Sequence, residues 1–199
     1  MDTQSPQIIL ASASPRRREL LDQIGITYEV MPAGVHEQPL PGELPETYVQ
    51  RVAAEKSLET WQNSGSRLPV LAADTEVVLN GEILGKPLNF EHASHMLSQL
   101  ANREHRVLSA VSLRQGDQHW ESLSVSTVAF RQISGEEIEA YWATGEPHDK
   151  AGAYAVQGKG AVFIRHLSGS YSGVMGLPLF ETAALLKHVG MSVLSVPAP

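Results

Sequence analysis

Residues 14–18 read Ser-Pro-Arg-Arg-Arg, which places three consecutive arginines behind a Ser-Pro pair. Ser14 is a candidate N-cap and Pro15 suits the first helical position, so this segment predicts the start of a helix. Arginines at this end oppose the helix dipole, at about 0.3–1 kcal/mol each when exposed. Free backbone N–H groups and guanidinium groups together favour polyphosphate binding. An ion pair of Arg18 with Asp22 is the alternative, but it leaves the other two arginines unexplained.

A carboxylate is predicted at the end of a buried strand. Asp74 follows the apolar run of residues 70–73, and ligands of α/β sheets gather at such strand ends. A buried carboxylate there needs a metal, a cation or several hydrogen-bond donors to remain charged. A turn before the next hairpin is an equally good interpretation of Asp74. Glu37 lies in a proline-rich loop and by itself indicates nothing, because most loop glutamates are solvated.

Lys56, Lys86 and Gln157 are further candidates for ligand contacts. Lys86 lies in a Gly-Lys-Pro turn and Lys56 on a predicted helix, and lysines serve as point charges toward phosphate. A surface position is the commoner one for any single lysine. Gln157 lies in a run rich in glycine and alanine, residues 149–158, where the backbone can approach a flat ligand closely. Its amide suits the edge of a base, although a glycine-rich connection in a sheet explains the same run.

The elements that must position these residues alternate between strands and helices. Strands are predicted at residues 8–11, 26–31, 70–73, 106–113 and 120–130, with a hairpin at 77–84 around Asn80-Gly81. Helices are predicted from residue 14 to 25, at 46–62 and 90–101, from a capping box at 134–137, and at 178–190. The tail from Met191 is expected to fray. This order indicates an α/β fold with a mixed twisted sheet and flanking helices.

The composition describes one globular domain spanning residues 1–199. A net charge of −7 argues against stable nucleic-acid binding. The absence of cysteine excludes disulfides and zinc thiolate sites and favours a reducing compartment. No apolar run approaches the ~20 residues that span a bilayer, and residues 1–7 lack a signal-peptide pattern. We therefore expect a cytoplasmic protein without membrane association.

Taken together, these segments resemble the Maf family of nucleotide pyrophosphatases. The likeness is carried by Ala-Ser-Ala-Ser-Pro-Arg-Arg at 11–17, Glu37, Glu55-Lys56, Ala-Asp-Thr at 73–75, Gly-Lys-Pro at 85–87, residues 149–158, and Gly-Leu-Pro at 176–178. Each motif alone is weak, whereas their combination in this order is specific. The resemblance implies two lobes around a central cleft, a homodimer, and a divalent cation such as Mg²⁺ or Mn²⁺.

The resemblance also implies roles for individual residues. Asp74 would be the catalytic proton acceptor, with Glu37 and Lys86 assisting catalysis, and Asp74 and Glu37 would hold the metal. Residues expected to line the triphosphate are Ser14, Arg17, Lys56 and Lys86. Residues that match positions associated with base choice are Arg16, Thr75 and Gln157.

Two branches of the family differ in substrate. Arg16, Thr75 and Gln157 resemble the branch that hydrolyses dTTP and UTP to the monophosphate and pyrophosphate. The branch acting on 7-methyl-GTP, which is the alternative within this chemistry, typically carries Trp after Ser-Pro. His36 departs from the Asp that many relatives have, which removes one charge beside Glu37. House-cleaning of modified nucleotides and arrest of cell division follow only by family analogy, and a nucleotide-sensing regulator would use the same cleft.

Overall fold

The structure is a computed structural model that describes residues 5–65 and 67–194. Residues 195–199 of the predicted frayed tail, and residues 1–4 of the segment without a signal-peptide pattern, lie outside the described residues. Within the described ranges, no helix is both long and apolar enough to cross a membrane.

Residues 5–65 and 67–194 contain seven strands and six α-helices. The strands are β1 Ile8–Leu10, β2 Tyr28–Val30, β3 Val70–Leu79, β4 Glu82–Ile83, β5 Glu104–Gln115, β6 Gln118–Phe130 and β7 Ile164–Ser168. The helices are α1 Pro15–Gln23, α2 Pro45–Ser64, α3 Phe90–Leu100, α4 Gly135–Trp142, α5 Tyr171–Met175 and α6 Leu179–Leu186. Short 3₁₀ turns occupy most of residues 146–163 and follow α6 at 187–189.

All seven strands belong to one mixed sheet in the order β2-β1-β3-β5-β6-β7, with β4 paired to β3. β1 runs parallel to β2 and β3, and the remaining pairs are antiparallel. The predicted α/β fold with a mixed sheet is confirmed. α2 packs on one face. On the other face, one apolar cluster forms around α1 and α6 and a second around α3 and α4, and we refer to these two clusters as the lobes.

One edge of β3 carries two short partners with a gap between them. β1 pairs with Val70 and Leu71, whereas β4 pairs with Val78 and Leu79. In the described part of the chain no strand covers the stretch from residue 72 to 76 on this edge, which we call the edge gap. Along its other edge β3 is paired with β5 from end to end. The edge gap therefore opens between the two lobes without interrupting the sheet.

Local sequence signals explain several element boundaries. Asn80 and Gly81 have φ angles of 53° and 87°, as a type I′ hairpin turn requires. The Ser134 side chain accepts from the N–H of Glu137, and the Glu137 carboxylate accepts from the N–H of Ser134. Gly25, with φ of 71°, follows the end of α1. The predicted hairpin, capping box and helix end are all confirmed.

One expectation was wrong, one was confirmed only in part, and two elements were not predicted. Asp74 lies within β3 rather than at its end, because β5 continues to pair with the strand after the apolar run stops. Ser14 stands at the N-cap of α1, but its side chain makes no capping hydrogen bond. β7 and α5 lie in the glycine-rich region, where the sequence shows no period that predicts them.

Candidate active site

A cavity of about 370 Å³ lies at the edge gap, which is within the usual size range of small-ligand sites. Its walls come from the β1–α1 loop, α2, β3, the Gly-Lys-Pro turn, and the segment around α5. Eight of the nine residues predicted for the site line it: Ser14, Arg16, Arg17, Glu37, Lys56, Asp74, Thr75 and Lys86. Gln157 is exposed and is not among the lining residues, so its role in base choice stays a prediction.

The arginine segment forms one wall, as its position at a helix start predicts. The Nε of Arg17 donates to the Gly176 carbonyl at 2.9 Å and its Nη1 to Ser12 Oγ at 3.0 Å. Burial lowers the pKa of Arg17, an effect that Asp74 opposes. Arg18 turns away and donates to the Ala13 carbonyl at 3.3 Å. Because no side chain caps α1, its first backbone N–H groups can receive an anion.

A lysine joins the two predicted metal ligands. Lys56 Nζ lies 2.8 Å from Asp74 Oδ1 and 2.9 Å from Glu37 Oε1. The side chains of Lys56 and Asp74 are 9% and 6% exposed, whereas that of Glu37 is 42% exposed. Partial burial disfavours ionisation of Glu37, but Lys56, Lys86 and Arg17 outweigh it and lower its pKa. The described site thus holds ionised carboxylate beside fixed cations.

Glu76 is a cavity residue that the sequence analysis missed. It stands two residues beyond Asp74 on β3 and lines the same cavity. Burial, followed by the nearby Asp74 charge, raises the pKa of Glu76 to about 8. Asp74 Oδ2 and Glu76 Oε2 are both buried, and neither has a hydrogen-bond partner among the described residues. Buried oxygens without a partner are unusual, so these two are candidates for contact with a ligand.

The donor set suits a hard divalent cation. Carboxylate oxygens are the ligands that Mg²⁺ and Mn²⁺ prefer, and Asp74 Oδ2 accepts no hydrogen bond from the described residues. No group of three or more His, Asp or Glu side chains in the described ranges is arranged to hold a metal alone. Mg²⁺ commonly binds through one or two carboxylates plus substrate phosphates. The residues therefore fit a cation that arrives with a phosphorylated ligand.

The loop that carries Glu37 lies along α2 and is fixed to it by side chains. Thr60 Oγ1 donates to the Met31 carbonyl at 3.4 Å, and the Gly34 N–H donates to Glu59 at 3.2 Å. Further along, Arg51 contacts both carboxylate oxygens of Glu43 at 2.7 Å and donates to the Gln38 carbonyl at 3.1 Å. The contact with Arg51 lowers the pKa of Glu43 to about 2. Arg51 and Lys56 thus hold the loop on both sides of Glu37.

Replacing Arg51 should weaken substrate use without removing a group from the cavity. We expect Arg51→Met to raise KM for a phosphorylated substrate roughly tenfold, because a loosened loop misplaces Glu37. Arg51→Lys should not rescue the loss, since one ammonium cannot replace the planar fork. Steady-state kinetics would test this, with Arg106→Met as the matched control. Arg106 lies on β5 and forms an ion pair at 2.6 Å with Glu46 of α2, the helix that also carries Arg51. It has no ion pair with the loop that carries Glu37 among the described residues. Equal KM values for both variants would contradict the expectation.

A buried histidine supports the wall of the cavity from behind. His105 Nε2 lies 2.8 Å from the hydroxyl of Tyr154, which lines the cavity, and Phe130 packs edge-on against both rings. Burial lowers the pKa of His105 to about 4. The folded protein therefore keeps this imidazole neutral while the unfolded chain binds a proton below its ordinary pKa of about 6.5.

Stability should consequently fall in acid through His105. Between pH 6.5 and 4 the unfolded state binds the extra proton, so the free energy of unfolding drops by up to about 3 kcal/mol. We expect wild type to lose about 2 kcal/mol more than His105→Gln between pH 7.5 and 5. Urea unfolding at the two pH values would measure this difference. Identical losses would show that His105 does not contribute to acid sensitivity.

The chain is similar to proteins of one known family. The family model described as "Maf-like protein" matches residues 7–189, which is most of the chain. The chain belongs to the Maf family. A Maf relative from Methylococcus capsulatus, named dTTP/UTP pyrophosphatase, is 58% identical over 191 residues, covering 96% of this chain and 95% of the relative.

A second Maf relative carries the same name. The dTTP/UTP pyrophosphatase of Nitrosomonas europaea is 54% identical over 198 residues, covering 94% of this chain and 96% of the relative. Among solved structures, the nucleoside-triphosphatase, or dITP/XTP pyrophosphatase, of Mycobacterium abscessus is 17% identical with a TM-score of 0.42. It covers 63% of this chain and 73% of that structure.

Proposed function

We propose that this Maf protein hydrolyses dTTP and UTP to the monophosphate and pyrophosphate. The observation that carries the proposal is Asp74, a buried carboxylate with a free Oδ2, which faces the cavity lined by Arg16, Arg17 and Lys86. An acid opposite a group of cations is what attack on a polyphosphate requires. The names of the two relatives support the choice of nucleotide.

The reaction follows from the two sides of the cavity. A water oxygen attacks the α-phosphorus and the bond from this phosphorus to the α,β-bridging oxygen breaks, so pyrophosphate leaves. Asp74 Oδ2 accepts the water proton, because it is the buried acceptor without a partner. Arg17 and the N-terminal N–H groups of α1 hold the phosphates, and Lys86, from the Gly-Lys-Pro turn that lines the same cavity, neutralises further charge. Each charge-assisted hydrogen bond contributes roughly 1.5–3 kcal/mol.

We also propose that turnover needs Mg²⁺ or Mn²⁺, with Asp74 and Glu37 as its protein ligands. When bound, the cation neutralises phosphate oxygens and makes water easier to deprotonate. Lys56 occupies Oδ1 of Asp74 and Oε1 of Glu37, which leaves Glu37 Oε2 for the metal. Asp74 Oδ2 has two lone pairs, so one would bind the metal while the other accepts the water proton. Removal of divalent cations with EDTA should abolish hydrolysis, and added Mg²⁺ or Mn²⁺ should restore it.

We expect the enzyme to discriminate more strongly between CTP and UTP than between UTP and dTTP. One methyl group changes binding by only ~1–3 kcal/mol, so both dTTP and UTP are expected substrates. The backbone of Ala73 and Thr75 faces the edge gap, because the carbonyls of Leu71 and Val77 accept on that edge from Ala11 and Leu84. Fixed backbone groups cannot reverse donor and acceptor, whereas the Gln157 amide can flip, so CTP should be poor.

Pyrophosphate release from dTTP, UTP, CTP, dGTP and 7-methyl-GTP, each with Mg²⁺ or Mn²⁺, tests the proposal. We expect turnover of dTTP and UTP and little of CTP. Preferential hydrolysis of 7-methyl-GTP would overturn the roles of Arg16, Thr75 and Gln157 while keeping the chemistry. Absence of all hydrolysis would favour the nucleotide-sensing regulator.

The homodimer and the cytoplasmic location stay predictions. Light scattering coupled to gel filtration would measure the molar mass in solution, to be compared with 21.6 kDa for one chain. A mass twice this value would support the dimer, and a single-chain mass would contradict it.

A further inference from the structure

Glu76 shares a face of β3 with the proposed catalytic residue. Side chains two apart on a strand point the same way, with Cα atoms about 6.6 Å apart. Asp74 and Glu76 therefore both lie on the α2 side, where Val78 of the same set packs against Val49. Thr75 points to the opposite side, where its Oγ1 lies 3.0 Å from Ser109 Oγ.

Lys86 and Lys56 lie near enough to Glu76 to oppose the rise of its pKa, but neither forms an ion pair with it in the described part of the chain. Lys56 is shared between Glu37 and Asp74, and Lys86, although it lines the cavity, forms no ion pair with a described residue. Glu76 Oε2 and Asp74 Oδ2 are both buried without a hydrogen-bond partner. The two oxygens belong to side chains on one face of β3 and line one cavity. Both are hydrogen-bond acceptors, and no donor from the described chain reaches either of them. A small cation between the two carboxylates would satisfy both oxygens at once.

We propose that Glu76 is a further metal ligand, and that the divalent cation binds to Asp74 Oδ2 and Glu76 Oε2 together. This inference rests on the proposed function, because the cation is the one required for hydrolysis. Two carboxylates leave the remaining coordination positions to water and phosphate oxygens, as Mg²⁺ and Mn²⁺ prefer. Glu37, which is 42% exposed, then completes the site from the loop rather than forming its base.

Binding of Mn²⁺ alone tests the inference apart from turnover. Free Mn²⁺ would be followed by electron paramagnetic resonance during titration of wild type, Glu76→Gln and Glu82→Gln. Glu82 is an exposed carboxylate of β4 on the same hairpin and serves as the matched control. We expect the Kd for Mn²⁺ to rise by at least ~10-fold in Glu76→Gln and to change less than ~2-fold in Glu82→Gln.

The outcomes separate the inference from the proposed function. Unchanged Mn²⁺ affinity in Glu76→Gln, with wild type hydrolysing dTTP, would overturn the ligand role and leave the function intact. The same result would indicate that Lys86 compensates Glu76 instead. The opposite result is also informative. If Glu76→Gln loses Mn²⁺ affinity but wild type hydrolyses none of the nucleotides, the metal site is supported and the proposed function is overturned. Glu76→Gln keeps the shape of the side chain, so we expect the variant to remain folded at 25 °C. Circular dichroism would check this.

Discussion

Asp74→Asn should lower kcat for dTTP by about 10³-fold, because a positioned general base contributes 10²–10⁴-fold to such a step. The amide keeps the shape of the side chain and an oxygen for Lys56, which lies 2.8 Å from Oδ1, but it cannot take the proton. The loss should fall on kcat rather than on KM, since the arginine and lysine contacts with the phosphates remain. Steady-state pyrophosphate release would measure both constants.

A matched variant controls for charge alone. Asp117 is an exposed aspartate in the turn between β5 and β6, so Asp117→Asn should leave kcat unchanged. If Asp74→Asn retains more than a tenth of wild-type kcat, another group accepts the proton and the proposed mechanism fails.

Lys56→Met should be the most destabilising change at the site. It removes the ammonium shared by Asp74 and Glu37, whose contacts measure 2.8 and 2.9 Å. Asp74 is buried, with its side chain 6% exposed, and a buried charge left without its partner typically costs 3–5 kcal/mol. Because Glu37 is partly solvated, we expect the lower end, about 3 kcal/mol. Urea unfolding at pH 7.5 would measure the loss.

A double-mutant cycle assigns that loss to the ion pair. Lys56→Met combined with Asp74→Asn should be less destabilised than the sum of the two single changes, by about 2 kcal/mol. Arg131→Met breaks an exposed pair with Glu137 and should have a much smaller effect. Strict additivity in the cycle would mean that Lys56 stabilises the protein through packing of its aliphatic stem instead.

Local chemistry explains what the sequence could predict. Asn80-Gly81 and the Ser134–Glu137 box specify a turn and a helix start through contacts within a few residues, so their structures were predictable. Asp74 was also identifiable, because a charge directly after four apolar residues needs compensation. Its neighbours in space, Lys56 and Glu37, come from elements that only the family resemblance brings together.

What the sequence could not predict depends on tertiary position. Glu76 stands in Thr-Glu-Val-Val, where alternation of a half-exposed strand explains a glutamate equally well. Glu76 lines the cavity only because no strand of the described chain pairs with β3 at the edge gap. Gln157 shows the converse, since the 3₁₀ turns around it leave its side chain exposed. Its local sequence is compatible with either placement.

The edge gap also determines how the molecule can move. β3 is joined to β5 by nine consecutive residue pairs that run past both lobes. Opening the cleft by hinge rotation would break this ladder, so both walls should move as one rigid body. Motion is left to the loop held by Arg51 and Lys56, whose backbone pairs with no strand in the described chain. Amide hydrogen exchange should accordingly be slow along the β5-facing edge of β3 and fast in residues 32–44.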